Sequence, residues 1–300
     1  MSDAGCRELC RLRSEPLAGS ASSAPLWVGI GWPKPLWHPD EVAHSSGLPP
    51  EIARLEGEAA ARGTKLALRL FQRGVAPPRD RVEVLLFGRD RAALSLPAVP
   101  LERLAETISA FVAGASLAAD ASPMSPQILV CTDGKHDACC ARYGWNLYTA
   151  LSRAAAGAGE DVSVAETSHL GGHRFAACCL ALPSGHLYGR VDASDASRLL
   201  RAVVSGEVVE ELSRGEIGHA EVCQVARAAA RRAGYTPAGR DEVHLDGARA
   251  TVRVAVGRDG DPARVVVHCE RRSFAGVNSC GADATVEANE RWVERDLALE

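Results

Sequence analysis

Two segments of this 300-residue chain do most to limit what it can become: CTDGKHDACCARYG (131–144) and ETSHLGGHRFAA (166–177). Each begins where a short apolar run ends, 128–130 for the first and 162–167 for the second. A strand that runs straight into a cysteine or histidine displays it in a strand-end loop, where rigid scaffolds hold functional groups. The first segment offers Cys131 and, nine residues on, Cys140; the second offers His169 and His173 with Gly171 and Gly172 between them. The glycines permit positive φ and a close approach of backbone to a bulky group. They also favour a loop over the helix that would otherwise put both histidines on one face. Two cysteines, two histidines and a Gly-rich turn suit a soft-to-borderline metal.

Around these segments the pattern is α/β. Residues 1–23 are rich in Gly, Ala and Ser and read as a loosely held, flexible arm. Region 24–120 reads β-α-β-β-α: a buried strand over 24–32, a helix opened by Pro49 and Pro50 and closed near Gly63, strands over 66–71 and 82–87, and a helix over 102–112. A Pro/Ser-rich break (121–127) precedes the region expected to bind the metal, 126–205, which reads β-α-β-β-β-α. Asp137 is the expected N-cap of its first helix, which ends near Gly157, and Asp195 of its last. That order fits a thioredoxin-like mixed sheet flanked by helices. The first region has a similar order and suggests an internal duplication, although the two sequences do not visibly match. Residues 206–300 read as an α+β extension, with an Ala/Arg-rich helix over 218–234 and strands near 250–256 and 264–268, packing on the second region.

The ten cysteines matter because the chain is expected to be soluble and cytoplasmic. It has no run of 18 apolar residues to span a membrane, and the first 25 residues lack the apolar stretch of a secretory signal. In a reducing compartment a cysteine cluster points to metal or catalysis more than to disulfides. Most of the ten need no function, since a cysteine packs as a small hydrophobe. Cys178 and Cys179 lie in an apolar strand and read as core. Cys139 reads as a packing neighbour of Cys140, or a spare ligand. Cys6 and Cys10 form a CxxxC read as an idle exposed pair, and Cys280 has no assigned role. Lys135 and His136 are either solvated or a positive edge beside the site; Arg174 either hydrogen-bonds near it or forms a surface ion pair.

Other chemistries lack their residues. Net charge is −4 without a basic cluster, so nucleic acid is not an expected partner. There is no CxxC for dithiol exchange, no GxGxxG or GxxxxGK[ST] for nucleotides, and no GxSxG for a hydrolase nucleophile.

Zinc knuckles favour ligand pairs two to four residues apart. The eight residues between Cys131 and Cys140 suit a looser loop that wraps a cluster. Two imidazoles can replace two thiolates on one iron of a [2Fe–2S] unit, as in Rieske centres. Here the cysteines share one loop and the histidines another, so the motif is not Rieske's.

These segments resemble the sucrase/ferredoxin-like family of thioredoxin-like [2Fe–2S] proteins. The resemblance rests on CTDGKHDACC, on ETSHLGGHRFAACCLALPSGHLYGRV (166–191) and on EPLAGSA (15–21). Members usually carry CTHGxRD; here Asp133 stands for the His and His136 for the Arg, and neither is a ligand position. The resemblance implies a [2Fe–2S] cluster with Cys131 and Cys140 on one iron and His169 and His173 on the other. The expected role is a ferredoxin-like one-electron carrier, not an enzyme, serving a reductase or electron-acceptor protein. Its potential is expected above that of all-cysteine plant-type ferredoxins, and coupled to a proton where a ligand imidazole reaches solvent. The "sucrase" in the name finds no placed carboxylate pair to support it. The same four residues would also serve a zinc site, structural or hydrolytic, and a metal-free binding module is the third alternative.

Overall fold

The computed structural model describes residues 6–74, 80–117, 121–159, 162–258, 261–277 and 286–300. Cys280 lies outside them. After a short helix α1 (Cys6–Leu12), the first half runs β1 (Leu26–Gly31), α2 (Leu55–Ala61), β2 (Leu66–Gln72), β3 (Arg81–Gly88), β4 (Arg91–Pro100), α3 (Leu104–Ala113) and β5 (Ser122–Pro123). The second half runs β6 (Gln127–Cys131), α4 (Ala138–Ala158), β7 (Ser163–Thr167), β8 (Cys179–Leu182), β9 (His186–Tyr188), α5 (Ala196–Ser205) and β10 (Ser213–Glu216). The extension adds α6 (Glu221–Arg232), β11 (Thr236–Pro237), β12 (Glu242–Asp246), β13 (Arg249–Arg258), β14 (Asp261–Val277) and β15 (Val286–Leu299).

Among the described residues, β1 to β10 form one mixed sheet in the order β10-β9-β8-β6-β7-β2-β1-β3-β4-β5. The order repeats about its centre. β1 pairs parallel with β2 and antiparallel with β3, and β6 pairs parallel with β7 and antiparallel with β8. The halves meet where β2 and β7 run antiparallel for two residue pairs, Phe71 with Thr167 and Gln72 with Glu166. Parallel strands need a crossover, and α2 and α4 supply it in their halves.

Strand alternation sets the layers. Leu26, Val28 and Ile30 of β1 pack with α2 and α3 in the first-half core, and Trp27 faces the other side. That other side is a core drawn from both halves, including Phe71, Leu85, Leu129, Cys131, Leu180 and Phe175. α4 and α5 cover the second half through Leu147, Leu151, Leu199 and Leu200. α6 lays Val222, Val225, Ala226 and Ala229 on the antiparallel C-terminal sheet β11-β13-β14-β15, with β12 on β13.

The arm expected to be loose over 1–23 is instead packed across its described residues. Cys6, Arg7, Cys10 and Glu15 are all buried, so Cys6 and Cys10 are not an exposed pair. The inward side chains are held by ion partners far along the chain: Arg7 pairs with Asp192, and Glu15 with Arg174 and Arg291. Arg174 is therefore committed to a buried ion pair, not a surface one.

A candidate metal centre at the strand ends

β6 delivers Cys131 into the core with 1% of its surface exposed. Its amide donates to the Cys178 carbonyl at 3.0 Å, so the strand pairing itself fixes the thiol. Helix α4 then begins under Asp137, whose carboxylate accepts from the Cys139 amide at 2.7 Å, as an N-cap does. The helix starts one residue before Cys139 and Cys140 and ends at Gly159 in the left-handed conformation, two residues beyond the expected stop. Gly144 lets this helix close on β6: a Cβ there would clash with the Cys131 carbonyl.

The second loop takes the conformation its glycines allow. Gly171 and Gly172 have φ of +81° and +69°, and His173–Phe175 is a single 3₁₀ turn. The guanidinium of Arg214, from β10, is buried beneath it and donates to the Gly171 carbonyl at 2.7 Å.

Three of the four expected ligand atoms converge. Cys131 Sγ, Cys140 Sγ and a ring nitrogen of His169 lie within 4.8 Å of one another, with Cys140 Sγ 3.7 Å from His169 Nδ1. His173 lies beside them, its ring centroid 5.7 Å from that of His169. Its Nδ1, however, faces Asp137 Oδ2 at 2.9 Å and Cys6 Sγ at 3.8 Å. A carboxylate accepts, so Nδ1 carries the proton and the Nε2 lone pair is left as the ligand atom.

Cys131 and Cys140 are hydrogen-bonded to each other, and the bond moves their two thiols in opposite directions. The hydrogen bond from Cys140, with help from His169, holds the Cys131 thiol well below its usual range despite burial. The same bond, with burial, pushes the Cys140 thiol far up. Buried Asp133, which accepts from the His169 amide at 3.3 Å, is pushed up by burial and by Cys131. Arg174, Arg190 and Arg214 surround Phe175 at 4.5, 5.4 and 5.1 Å from its ring, so the Gly-Gly loop rests on a positively charged base. Two cysteine sulfurs, one of them held low, two imidazoles and a cationic base under the loop fit an anionic group with soft metal ions.

Sequence reasoning had not placed four neighbours. Of the two readings of His136, the one beside the site fits its place: its ring stacks on His169 with centroids 3.7 Å apart. Its Nδ1 donates to the Pro39 carbonyl at 2.9 Å, and Lys135 donates to the carbonyls of Pro35 and Trp37. Asp137, read only as a cap, also orients His173. Cys6 reaches Cys139, with Sγ atoms 3.4 Å apart. Cys6, Asp137 and Cys139 form a second group whose ligand atoms lie within 4.8 Å of one another. Val277, at the end of β14, packs against Cys6, Cys139 and Ala176, so the C-terminal ribbon reaches the site. The EPLAGSA segment was the one signal for the arm's part in this, through Glu15. Cys178 and Cys179 are core, as expected.

A search among curated proteins finds the altered inheritance of mitochondria protein 32 of Debaryomyces hansenii. It is 31% identical over 96 residues, covering 30% of this chain and 35% of that protein. Among solved structures, the thioredoxin-like [2Fe–2S] ferredoxin of Aquifex aeolicus is 17% identical, with a TM-score of 0.26, covering 29% of this chain and 88% of its own. A cysteine-to-serine variant of that ferredoxin gives 18% identity and a TM-score of 0.27, covering 30% and 97%. Residues 17–215 match the model of the family described as sucrase/ferredoxin-like. That span is well over half of the chain and runs from the arm through both ligand loops into β10, so the chain belongs to the sucrase/ferredoxin-like family.

Proposed function

We propose that this protein is a soluble cytoplasmic one-electron carrier. It holds a [2Fe–2S] cluster on Cys131, Cys140, His169 and His173, in a second half that we read as a thioredoxin-like unit. The observation that carries the reading is the convergence of Cys131 Sγ, Cys140 Sγ and a ring nitrogen of His169 within 4.8 Å at two strand ends, with His173 alongside. Bound there, the cluster supplies reversible one-electron transfer.

The chain's own residues prepare the site. Cys131, held low by its hydrogen bonds, is the readier thiolate of the pair, and both thiols would lose their protons to hold the cluster. Asp137 accepts from His173 Nδ1, which would leave Nε2 as the ligand atom. His136 covers one face of His169, and Cys6 of α1, packed with Val277, lies 3.8 Å from His173 Nδ1. The electron donor or acceptor is a partner protein. Proton coupling belongs to the same proposal, and a potential that stays flat against pH would argue against it.

The test is an absorption and EPR spectrum, with iron, sulfide and zinc analysis, of anaerobically purified protein beside Cys140→Ala and His169→Ala. A red-brown protein with an S = ½ signal on reduction, lost or altered in both variants, is the expected result. A colourless protein holding zinc, or no metal, would overturn the reading.

A further inference from the structure

The reading above leaves Cys6 and Cys139 unused. They sit 133 positions apart in sequence, yet their Sγ atoms are 3.4 Å apart and both are buried. With Ala176 and Val277 they form a small apolar group at the edge of the centre. Cys10, one turn along α1, points elsewhere: its Sγ contacts Glu15 Oε2 at 3.4 Å and Arg190 Nη2 at 3.0 Å. The geometry therefore singles out one pair.

We propose that Cys6 and Cys139 are a reversible dithiol–disulfide pair, a redox clasp that fastens α1 over the His173 side of the centre. Bond formation needs the sulfurs to close from 3.4 Å to about 2.05 Å, a shift that side-chain rotation and a small movement of α1 supply. Access comes through α1. A seven-residue helix is marginal by itself. This one is held by side-chain pairs that can release together: Arg7 and Arg11 on Asp192, and Glu8 on the Tyr143 hydroxyl. In the proposal, α1 is the segment that opens locally to admit the oxidant, against the burial of Cys6, Arg7 and Cys10.

The oxidant is a disulfide of the glutathione class. With α1 lifted, the Cys6 thiolate attacks one sulfur of that disulfide, forming a mixed disulfide and releasing one small thiol. When α1 closes, the Cys139 sulfur attacks Cys6 Sγ, the protein S–S bond forms and the second small thiol leaves. The protein loses two electrons and two protons, and the oxidant's S–S bond becomes two S–H groups. A dithiol reductant reverses both steps. In the oxidised form α1 can no longer lift, so the His173 side stays closed; in the reduced form it opens and recloses. The clasp uses neither Cys131 nor Cys140, and does not depend on what metal they hold.

The test uses the full-length protein, anaerobically purified, across a series of glutathione to glutathione-disulfide ratios. Thiols are quenched with N-ethylmaleimide and the tryptic peptides mapped by mass spectrometry. The expected result is a peptide pair joined through Cys6 and Cys139, two hydrogens lighter than the sum of its parts. It grows as the ratio becomes oxidising and is abolished by dithiothreitol. It persists in Cys10→Ser and is lost in Cys139→Ser. Cys6 and Cys139 remaining alkylated at every ratio, or Cys6 pairing with Cys10 instead, would overturn the proposal. A second reading needs no variant: brief trypsin treatment of the native protein cuts the arm at Arg11 and Arg13. The Cys6 fragment should stay attached in oxidised protein and leave on reduction; equal release from both forms would also overturn it.

Discussion

The two halves of the ten-stranded sheet share a strand order and differ in what they place at the strand ends. In the second half β6 runs into Cys131, and the loop after β7 carries His169 and His173. In the first half β1 runs into Gly31 and Trp32, and β2 is followed by Arg73. Those residues pack and pair. Trp32 Nε1 donates to the Ser46 carbonyl, Trp37 Nε1 to the Trp32 carbonyl, and Arg73 holds Glu83 and Gln127. The loop after β1 then serves its neighbour: the carbonyls of Pro35, Trp37 and Pro39 receive Lys135 and His136. One frame thus does two jobs, a candidate metal cradle in one half and a wall for that cradle in the other.

The largest effects should separate the two jobs. Cys131→Ser removes the thiol that β6 fixes, and metal content should fall to background while the urea midpoint of the metal-free protein shifts little. Trp32→Ala empties a buried site and should cost about 3–5 kcal/mol, while metal per folded molecule holds at the wild-type value. Metal analysis on the folded fraction beside urea melts checks both, and loss of metal in folded Trp32→Ala would collapse the distinction.

Next is the buried carboxylate that joins three regions. Glu15 brings the arm to Arg174 of the second half and Arg291 of β15. Burial pushes its carboxyl up, but hydrogen bonds and charge from the two arginines outweigh this and leave it below its usual value. Glu15→Gln leaves two guanidinium groups without their anion, and should cost about 3–5 kcal/mol near neutral pH. A carboxyl lowered by folding stabilises above its unfolded pKa and loses that contribution as pH falls through the folded value. The gap between wild type and Glu15→Gln in denaturant melts should therefore narrow below about pH 4.5. A constant gap would mean that packing, not charge, accounts for it.

His186 gives a smaller effect in a different pH window. It is buried on β9, and burial pushes its imidazole down to about 4, against the pull of Glu216. The unfolded chain takes up a proton near its usual value while the folded one does not. Stability should therefore fall from about pH 6.5 towards pH 4, by up to about 3 kcal/mol. His186→Phe should flatten that part of the curve and leave metal content alone.

How much of this the sequence foretold follows from where the signal is local. The two loops that bring Cys131, Cys140 and His169 together were legible because each joins an apolar strand to glycine, cysteine or histidine, and Asp137 is a local cap. β4 was missed because Pro97 and Pro100 mark a strand down and only two of its ten residues are buried. β12 and β15 were missed because exposed charges interrupt the alternation, as in VEANERWVERDLAL. The arm was misread for a different reason. Polar residues in a Gly/Ala/Ser context look solvated, and only distant partners show that Arg7 and Glu15 are buried. His136 is the same case, since its stacking partner lies in the other loop.

The smallest predicted effect tests the wall itself. Lys135 Nζ donates to the carbonyls of Pro35 and Trp37, at 2.8 and 3.0 Å. These bonds are near the surface, so their loss in Lys135→Met should cost only about 1 kcal/mol. Their position makes them informative, because they tie the first-half loop to the segment between Cys131 and Cys140. If the wall shields the centre, Lys135→Met should lose metal to a chelator several-fold faster while its urea midpoint moves little. A variant in which loop and centre act independently would show the small stability change and no change in chelation rate. In that case the first half would be a scaffold that touches the centre without guarding it.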